Sequence, residues 1–322
     1  MRVLITGLGG ELATRVALLL EPEGSVDALL GFDVDPPRKR LRRTEFHRID
    51  PRDRRRVATL VRDWRPTAVI HLGIYEPDAR TPARAAPQRT HDATVAALGA
   101  AADGGALERV VLRSGIEVYG RARGAVMVPD EDVPPAPTSP FGRMLLDVER
   151  VAADAATAAG ASLATLRFAP IVGPHFPSPL GRLLRLPAVP VSLLADPPFS
   201  LLHQEDAALA IVAALHRRVD EPVNVVGAGA VTAWQAARVG GRVPLPMVGY
   251  EWPLVRRITE LVGAPLPAHV LELLHRGRTA DGGRAAKILG AAPQRTTPGI
   301  LGDLFEWAPV TALRVVTDEE AA

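Results

Sequence analysis

Residues 1–20 read MRVLITGLGGELATRVALLL, and the order of residue types in this stretch decides the fold. RVLIT is a short apolar run of strand character, and ELATRVALLL has the apolar spacing of a helix. Between them TGLGGELA sets Gly7, Gly10 and Ala13 at the spacing GxxGxxA. Glycines in a strand-to-helix turn let the backbone approach a diphosphate closely, and the amides that open the helix supply a partial positive charge to hold it. The next strand, in VDALLGFD, ends on Asp33. A carboxylate there accepts hydrogen bonds from both ribose hydroxyls and repels a 2′-phosphate. The stretch therefore predicts NAD as cofactor, with Thr6, Gly7, Gly10, Glu11, Leu12 and Asp33 around it. NADP is the weaker expectation, requiring Arg38 or a neighbour to fold back and pair with the extra phosphate.

Beyond this stretch, short apolar runs go on alternating with longer amphipathic ones. RRVATLVRDW, RTHDATVAALGAAADG and GRMLLDVERVAADAATAAG read as helices, whereas AVIHLG, RVVLRSG and LATLRFAPIVG read as strands. That repeat predicts an α/β protein, a Rossmann-type doubly wound parallel sheet with helices on both faces. From about residue 175 the regularity decays into the proline-punctuated PHFPSPLGRLLRLPAVPVSLLADPPFS. A cofactor-binding domain is expected over 1–174, with 203–226 returning to it. Residues 175–202 and 227–322 are expected to form a smaller, mostly C-terminal substrate-binding domain.

Composition excludes several classes. The formal net charge of the 322 residues is +2, and the basic clusters PRKRLRR (37–43) and RDRRR (52–56) lack interleaved aromatics, so they read as solvated surface and not as a nucleic-acid site. No apolar run is long enough to span a membrane. The absence of cysteine suits a reducing cytoplasm, and no His, Asp and Glu set has metal-ligand spacing.

Six segments in chain order resemble the extended short-chain dehydrogenase/reductases of the NAD-dependent epimerase/dehydratase family. TGLGGELA is similar to that family's TGxxGxxG, with Ala13 at the last glycine. HRIDPRD resembles the segment whose acid, here Asp50 followed by Pro51, meets the adenine amino group. VIHLG resembles its HLAA strand, with Leu72 and Gly73 beside the cofactor. RVVLRSGIEVYG resembles the strand ending in SSxxVYG and carries Ser114. LRFAPIVGP resembles the LRxxNVYGP loop that lines the nicotinamide and carries Pro170, and LLHQEDAALAI resembles FIHVDDVA. The resemblance covers most of residues 1–215 and implies NAD binding, a small-molecule substrate and a homodimer packed through the helices near 90–102 and 141–159.

It also implies a catalytic set that this chain lacks. The family's Ser or Thr, Tyr and Lys fall on Gly115, Phe141 and Leu145, none of which can exchange a proton, and no Tyr-x-x-x-Lys occurs anywhere. The arginine that meets the nucleotide in sugar-nucleotide members falls on Phe199. Substitute candidates are Glu117, Tyr119 and His175, each of which also has an ordinary structural reading. His71, inside AVIHLG, reads as a satisfied core histidine, and Asp147 and Glu149 read as the solvated face of their helix. These losses favour an atypical NAD(H)-binding oxidoreductase or isomerase acting on a small, relatively hydrophobic carbonyl or alcohol. The alternative is a non-catalytic NAD-binding sensor or scaffold, and an ordinary nucleotide-sugar epimerase or dehydratase ranks third.

Overall fold

A computed structural model describes residues 1–78, 81–174, 176–248, 252–261, 265–290 and 292–305. Its strands are β1 (Arg2–Thr6), β2 (Ala28–Asp33), β3 (Thr44–Arg48), β4 (Ala68–His71), β5 (Arg109–Gly115), β6 (Ser162–Phe168), β7 (Ile171–Val172), β8 (Ala188–Ser192), β9 (Leu202–His203), β10 (Pro222–Val225) and β11 (Val243–Met247). Its α-helices are α1 (Glu11–Leu20), α2 (Arg54–Trp64), α3 (Ala86–Asp103), α4 (Pro140–Ala159), α5 (Pro179–Leu184), α6 (Gln204–Arg217), α7 (Ala233–Val239), α8 (Trp252–Leu261), α9 (Ala268–Arg276), α10 (Gly283–Leu289) and α11 (Thr297–Phe305).

Seven strands pair in the order β10-β6-β5-β4-β1-β2-β3, all parallel, giving the doubly wound Rossmann-type sheet that the alternating pattern predicts. The chain leaves β1 toward β2 and β3, then crosses back to β4 on the other side. The carboxyl ends of β1 and β4 therefore flank the switch point, where open parallel sheets bind ligands. The central strands carry Val3, Leu4, Ile5, Val69, Ile70, Val111 and Leu112, all buried, as expected of strands covered on both faces.

Two strands of the sheet, β10 and β3, are absent from the pattern reading: PVNV of β10 is only four residues long, and TEFHR of β3 is short, polar and at the sheet edge. Glu21 fixes β3 in place. Its Oε1 accepts from the amides of Arg42, Arg43 and Thr44 at 2.7, 2.8 and 3.0 Å and from Thr44 Oγ1 at 3.0 Å. Burial raises this carboxyl, but the four donors outweigh burial and hold it below its ordinary value.

Helix α4 positions much of the site. Ser139 caps it by accepting from the Gly142 amide at 3.1 Å, Pro140 opens it, and Gly160 closes it in a left-handed conformation. Its buried stripe includes Phe141, Leu145, Val148, Glu149 and Ala152, which turns the first turn of the helix toward the end of β5. Gly142 permits that approach, since a Cβ there would lie 2.4 Å from the Glu117 carbonyl oxygen. Burying a leucine such as Leu145 contributes ~2 kcal/mol.

Two apolar clusters form. The larger joins the seven-stranded sheet to α1, α3, α4 and α6, and also takes in Ala285 and Leu289 of α10. The smaller is built from α5, β8, α7, α9 and α11 around Phe199.

Candidate active site

At the switch point Gly7 has φ +71°, and a Cβ on it would lie 2.9 Å from Gly73 Cα. Thr6 Oγ1 ties the two turns together by accepting from the amides of Leu72 and Gly73, both at 3.2 Å. Bare backbone thus faces the crevice from both sides. Gly10 caps α1 with no side-chain hydrogen bond, so the amides around Glu11 and Leu12 in the first turn keep their donors for a ligand. Asp33 stands at the end of β2 and accepts from the amides of Gly9 at 3.1 Å and Val34 at 2.6 Å. Burial nevertheless pushes its carboxyl upward, a desolvation that a ribose diol relieves by donating to it. These groups fit the adenosine and diphosphate of NAD. The Arg38 amide is tied to Thr14 Oγ1 at 3.1 Å.

Asp50, expected at the adenine, is already held by Arg52, whose Nε and second guanidinium nitrogen donate to its two oxygens at 2.9 and 2.5 Å; Pro51 behind it is buried. Tyr75 was not foreseen. Its phenol is pushed up to about 12 by burial and by the negative charges of Asp33 and Asp50, the two carboxylates of the cofactor end. The signal was available, because Tyr75 and Glu76 directly follow β4 on the ligand side of the sheet.

His71 is fully buried, with Nδ1 2.8 Å from Thr6 Oγ1 and Nε2 3.0 Å from Thr94 Oγ1. Burial lowers its pKa to about 4, so it is neutral and cements β1, β4 and α3.

Gly115, Phe141 and Leu145, the positions expected to hold the proton-transfer groups, line one recess together with Ser114 and Pro170. Gly115 is the informative one. A Cβ built on it would lie 2.3 Å from Glu117 Oε2, so the carboxylate of Glu117 fills the space in which a serine or threonine side chain would stand. Glu117 is buried and meets Arg278 at 3.0 Å; Arg278 in turn donates to Glu272 at 2.5 Å. On the other side of the recess the Phe141 ring stacks on the imidazole of His269, with centroids 4.4 Å apart and planes tilted by 31°. His269 Nε2 lies 3.1 Å from Glu76 Oε1, and Arg113 lies 3.6 Å from Glu76 Oε2. Burial alone raises Glu76, but His269, Arg113 and Arg182 outweigh it and hold the carboxyl below its ordinary value.

The other expected residues are distributed differently. Tyr119 is absent from the recess wall; its hydroxyl donates to Asn224 Oδ1 at 2.8 Å and accepts from Arg167 at 3.0 Å. His175 lies outside the described residues. Glu149 is a correction, because the solvated face expected for it is wrong. It is buried against β6, where Arg167 grips both its oxygens at 3.0 and 2.8 Å and Ser114 Oγ donates at 2.5 Å. Asp147, half-exposed, pairs with His91 and Arg150.

The hydrophobic-substrate argument from Phe199 also fails on geometry. Phe199 is fully buried in the smaller cluster, and its backbone bridges Val231 and Arg278. Arg278, itself buried, meets Glu117, and the wall of the recess carries Glu76, Arg113, Glu117 and His269 among its apolar residues.

Comparison with known proteins agrees. A profile described as the NAD dependent epimerase/dehydratase family matches residues 3–227. An uncharacterised protein of Mycobacterium tuberculosis is 29% identical over 97% of this chain and 85% of its own length. Among solved structures, MoeE5 in complex with UDP-glucuronic acid and NAD superposes with a TM-score of 0.74 at 23% identity, over 95% of this chain and 98% of its own. The UDP-glucose 4-epimerase of Thermotoga maritima with UDP-glucose gives 0.72 at 19%, over 94% and 97%. The UDP-glucuronic acid 4-epimerase of Bacillus cereus with NAD gives 0.73 at 17%, over 95% and 96%. Both leading functional readings of the sequence are overturned by these findings. A hydrophobic carbonyl or alcohol substrate and a non-catalytic NAD sensor or scaffold each depart from a set of structures that hold nucleotide sugars and NAD. With NAD as its cofactor, the chain belongs to the NAD dependent epimerase/dehydratase family.

Proposed function

We propose that this chain is an atypical member of that family, an NAD-dependent enzyme acting on a nucleotide-linked sugar, in which Glu117 takes the place of the hydroxyl residue of the usual catalytic set. The observation that carries the reading is the 2.3 Å between a Cβ at Gly115 and Glu117 Oε2. A carboxylate in that position accepts a hydrogen bond from a sugar hydroxyl next to the one that is to be oxidised and so orients the ring. Arg278 holds Glu117 from behind and balances its charge. Bound NAD supplies the hydride acceptor. Gly7, Gly10, Gly73 and Asp33 hold it, and the apolar wall of Phe141, Leu145 and Phe168 excludes water from the reacting carbon. The nucleotide-linked substrate is supported by the complexes of the solved relatives and by the guanidinium of Arg113 in the recess wall.

The same reading places cofactor on residues 1–174 and 203–226 and substrate on 175–202 and 227–322, supported by the two separate apolar clusters. It includes a homodimer through α3 and α4, whose alanine-rich sequences allow close approach, and a cytoplasmic location, supported by the absence of cysteine. Among the described residues no helix is long and apolar enough to cross a membrane.

The test is incubation of the NAD-loaded protein with UDP- and dTDP-linked hexoses and uronic acids, followed by proton NMR of the sugar and nicotinamide absorbance. Turnover of at least one is expected, slowed about 100-fold in Glu117→Gln with NAD binding intact. No turnover of any nucleotide sugar overturns the reading.

A further inference from the structure

The usual tyrosine position is held by Phe141, so the site still needs a group that takes the hydroxyl proton as the carbon gives up hydride. Tyr119 is committed to Asn224 and Arg167. Among the described residues that line the recess one carries an imidazole, His269, and its ring lies against the ring of Phe141 at 4.4 Å. We propose that Glu76 and His269 form the proton-transferring pair of this site, with His269 as the acid–base group in place of the missing tyrosine and Glu76 as its positioning residue.

The proposal rests on the reading above, that nucleotide-sugar oxidation takes place in this recess. Nε2 of His269 and Oε1 of Glu76 are 3.1 Å apart, which fixes the tautomer with hydrogen on Nε2 and leaves the lone pair on Nδ1. The balance is complete. The sugar O–H bond breaks with its proton passing to the imidazole; the C–H bond breaks with its electron pair passing to the nicotinamide of NAD; the C=O bond forms. Reduction on the other face returns hydride and proton by the reverse route.

The carboxylates of Glu76, Glu117 and Glu272 face the guanidiniums of Arg113 and Arg278, while Arg182 is within 3.7 Å of Asp78. Elements from four parts of the chain converge to make this arrangement: Glu76 follows β4, Arg113 lies two residues before the end of β5, Phe141 is in the first turn of α4, and His269 sits in the first turn of α9. A clamp needed only to hold α9 against the sheet would not require an imidazole stacked on the recess wall.

The experiment compares His269→Gln and Glu76→Gln with the wild type, using the nucleotide sugar that the wild type turns over. Turnover is expected to fall about 100-fold in His269→Gln and about 10-fold in Glu76→Gln, with NAD affinity within twofold of wild type. Added imidazole should restore part of the activity of His269→Ala, a recovery that a packing role does not produce. A readout independent of turnover is the 15N-histidine titration of the NAD complex, in which the His269 midpoint should drop by about one unit in Glu76→Gln, roughly a tenfold change in its proton affinity. If thermal unfolding shows that His269→Gln does not fold, Glu76→Gln and its titration decide. A wild type that turns over nucleotide sugars while both glutamine variants keep its rate and its pH profile overturns the pair and leaves the Glu117 reading standing. A wild type with no turnover overturns both.

Discussion

Substituting Gly115 by alanine tests the site at its most constrained point. Gly115 has φ −153° and ψ 155°, extended backbone that any residue adopts, so the substitution carries no conformational strain. What it meets is Glu117. The new methyl lies 2.3 Å from Oε2 and 3.4 Å from Cδ of Glu117, and 3.1 Å from Leu145 Cδ1. Oε2 is the far end of a flexible side chain, so it moves, and moving it pulls the carboxylate off Arg278, 3.0 Å away. Separating a buried pair so that each charge is left short of its partner costs about 3–5 kcal/mol. At about 2.1 cal/mol/K per residue, the unfolding entropy of a chain of this length is roughly 0.7 kcal/mol/K, so Tm falls by roughly 4–7 °C. Glu272 stays on Arg278 at 2.5 Å, which puts the expected shift toward the lower figure. Differential scanning calorimetry measures the stability term, and NMR-monitored turnover with NAD and nucleotide sugar measures the catalytic one, expected to fall about 100-fold. The control is Gly115→Ala in a Glu117→Ala background, where the methyl has space and should cost under about 1 kcal/mol, a non-additivity diagnostic of the shared slot. An alanine variant that melts with the wild type and turns over at its rate would refute the assignment of this space to the Glu117 carboxylate.

Two further outcomes are expected. Glu149→Ala leaves the buried Arg167 guanidinium without the carboxylate that grips it at 2.8 and 3.0 Å, and should destabilise by about 3–5 kcal/mol in urea unfolding while NAD affinity stays within twofold. His71 is neutral in the folded state with a pKa of about 4, whereas an unfolded histidine titrates near ~6.5. Between those values the unfolded chain binds the extra proton, so this contribution is complete above ~6.5, declines as pH falls, and is lost by about pH 4, a total of roughly 3 kcal/mol. His71→Gln should flatten that part of the stability profile, and an unchanged slope would show that His71 does not set it.

What was legible in the sequence follows from range. The first turn, Asp33 and the strands of the sheet interior are encoded in contiguous residues, and the fold uses them as read. β3 escaped because an edge strand needs no apolar alternation; its register comes from Glu21, more than twenty residues upstream. Glu149 was misassigned although a signal existed. It lies four residues after Leu145 and three before Ala152, on the buried stripe of α4, where a charge implies a buried partner. His269 and Arg278 left no such trace. His269 reaches the recess through α9, and Arg278 reaches Glu117 beside the bridge to Phe199, contacts set by tertiary packing between segments far apart in the chain.

The paired loss of tyrosine and lysine has a physical explanation if an imidazole does their work. A phenol titrates near ~10, so using it as a base near neutrality requires its acidity to be raised by roughly three units, about 4–5 kcal/mol, and a neighbouring cation supplies that. An imidazole in water titrates near ~6.5 and needs no such correction. Once His269 stands against the recess, a lysine at position 145 has no phenol to tune and would bring an ammonium into contact with the Phe141 wall and Gly115 at a desolvation cost. Leucine removes that cost and contributes burial instead, and Phe141 provides the flat face on which the imidazole is held. The two apolar residues of α4 are then the consequence of moving the acid–base group from that helix to α9, and the same logic explains why the hydroxyl position could shrink to glycine only because Glu117 turned inward to fill it.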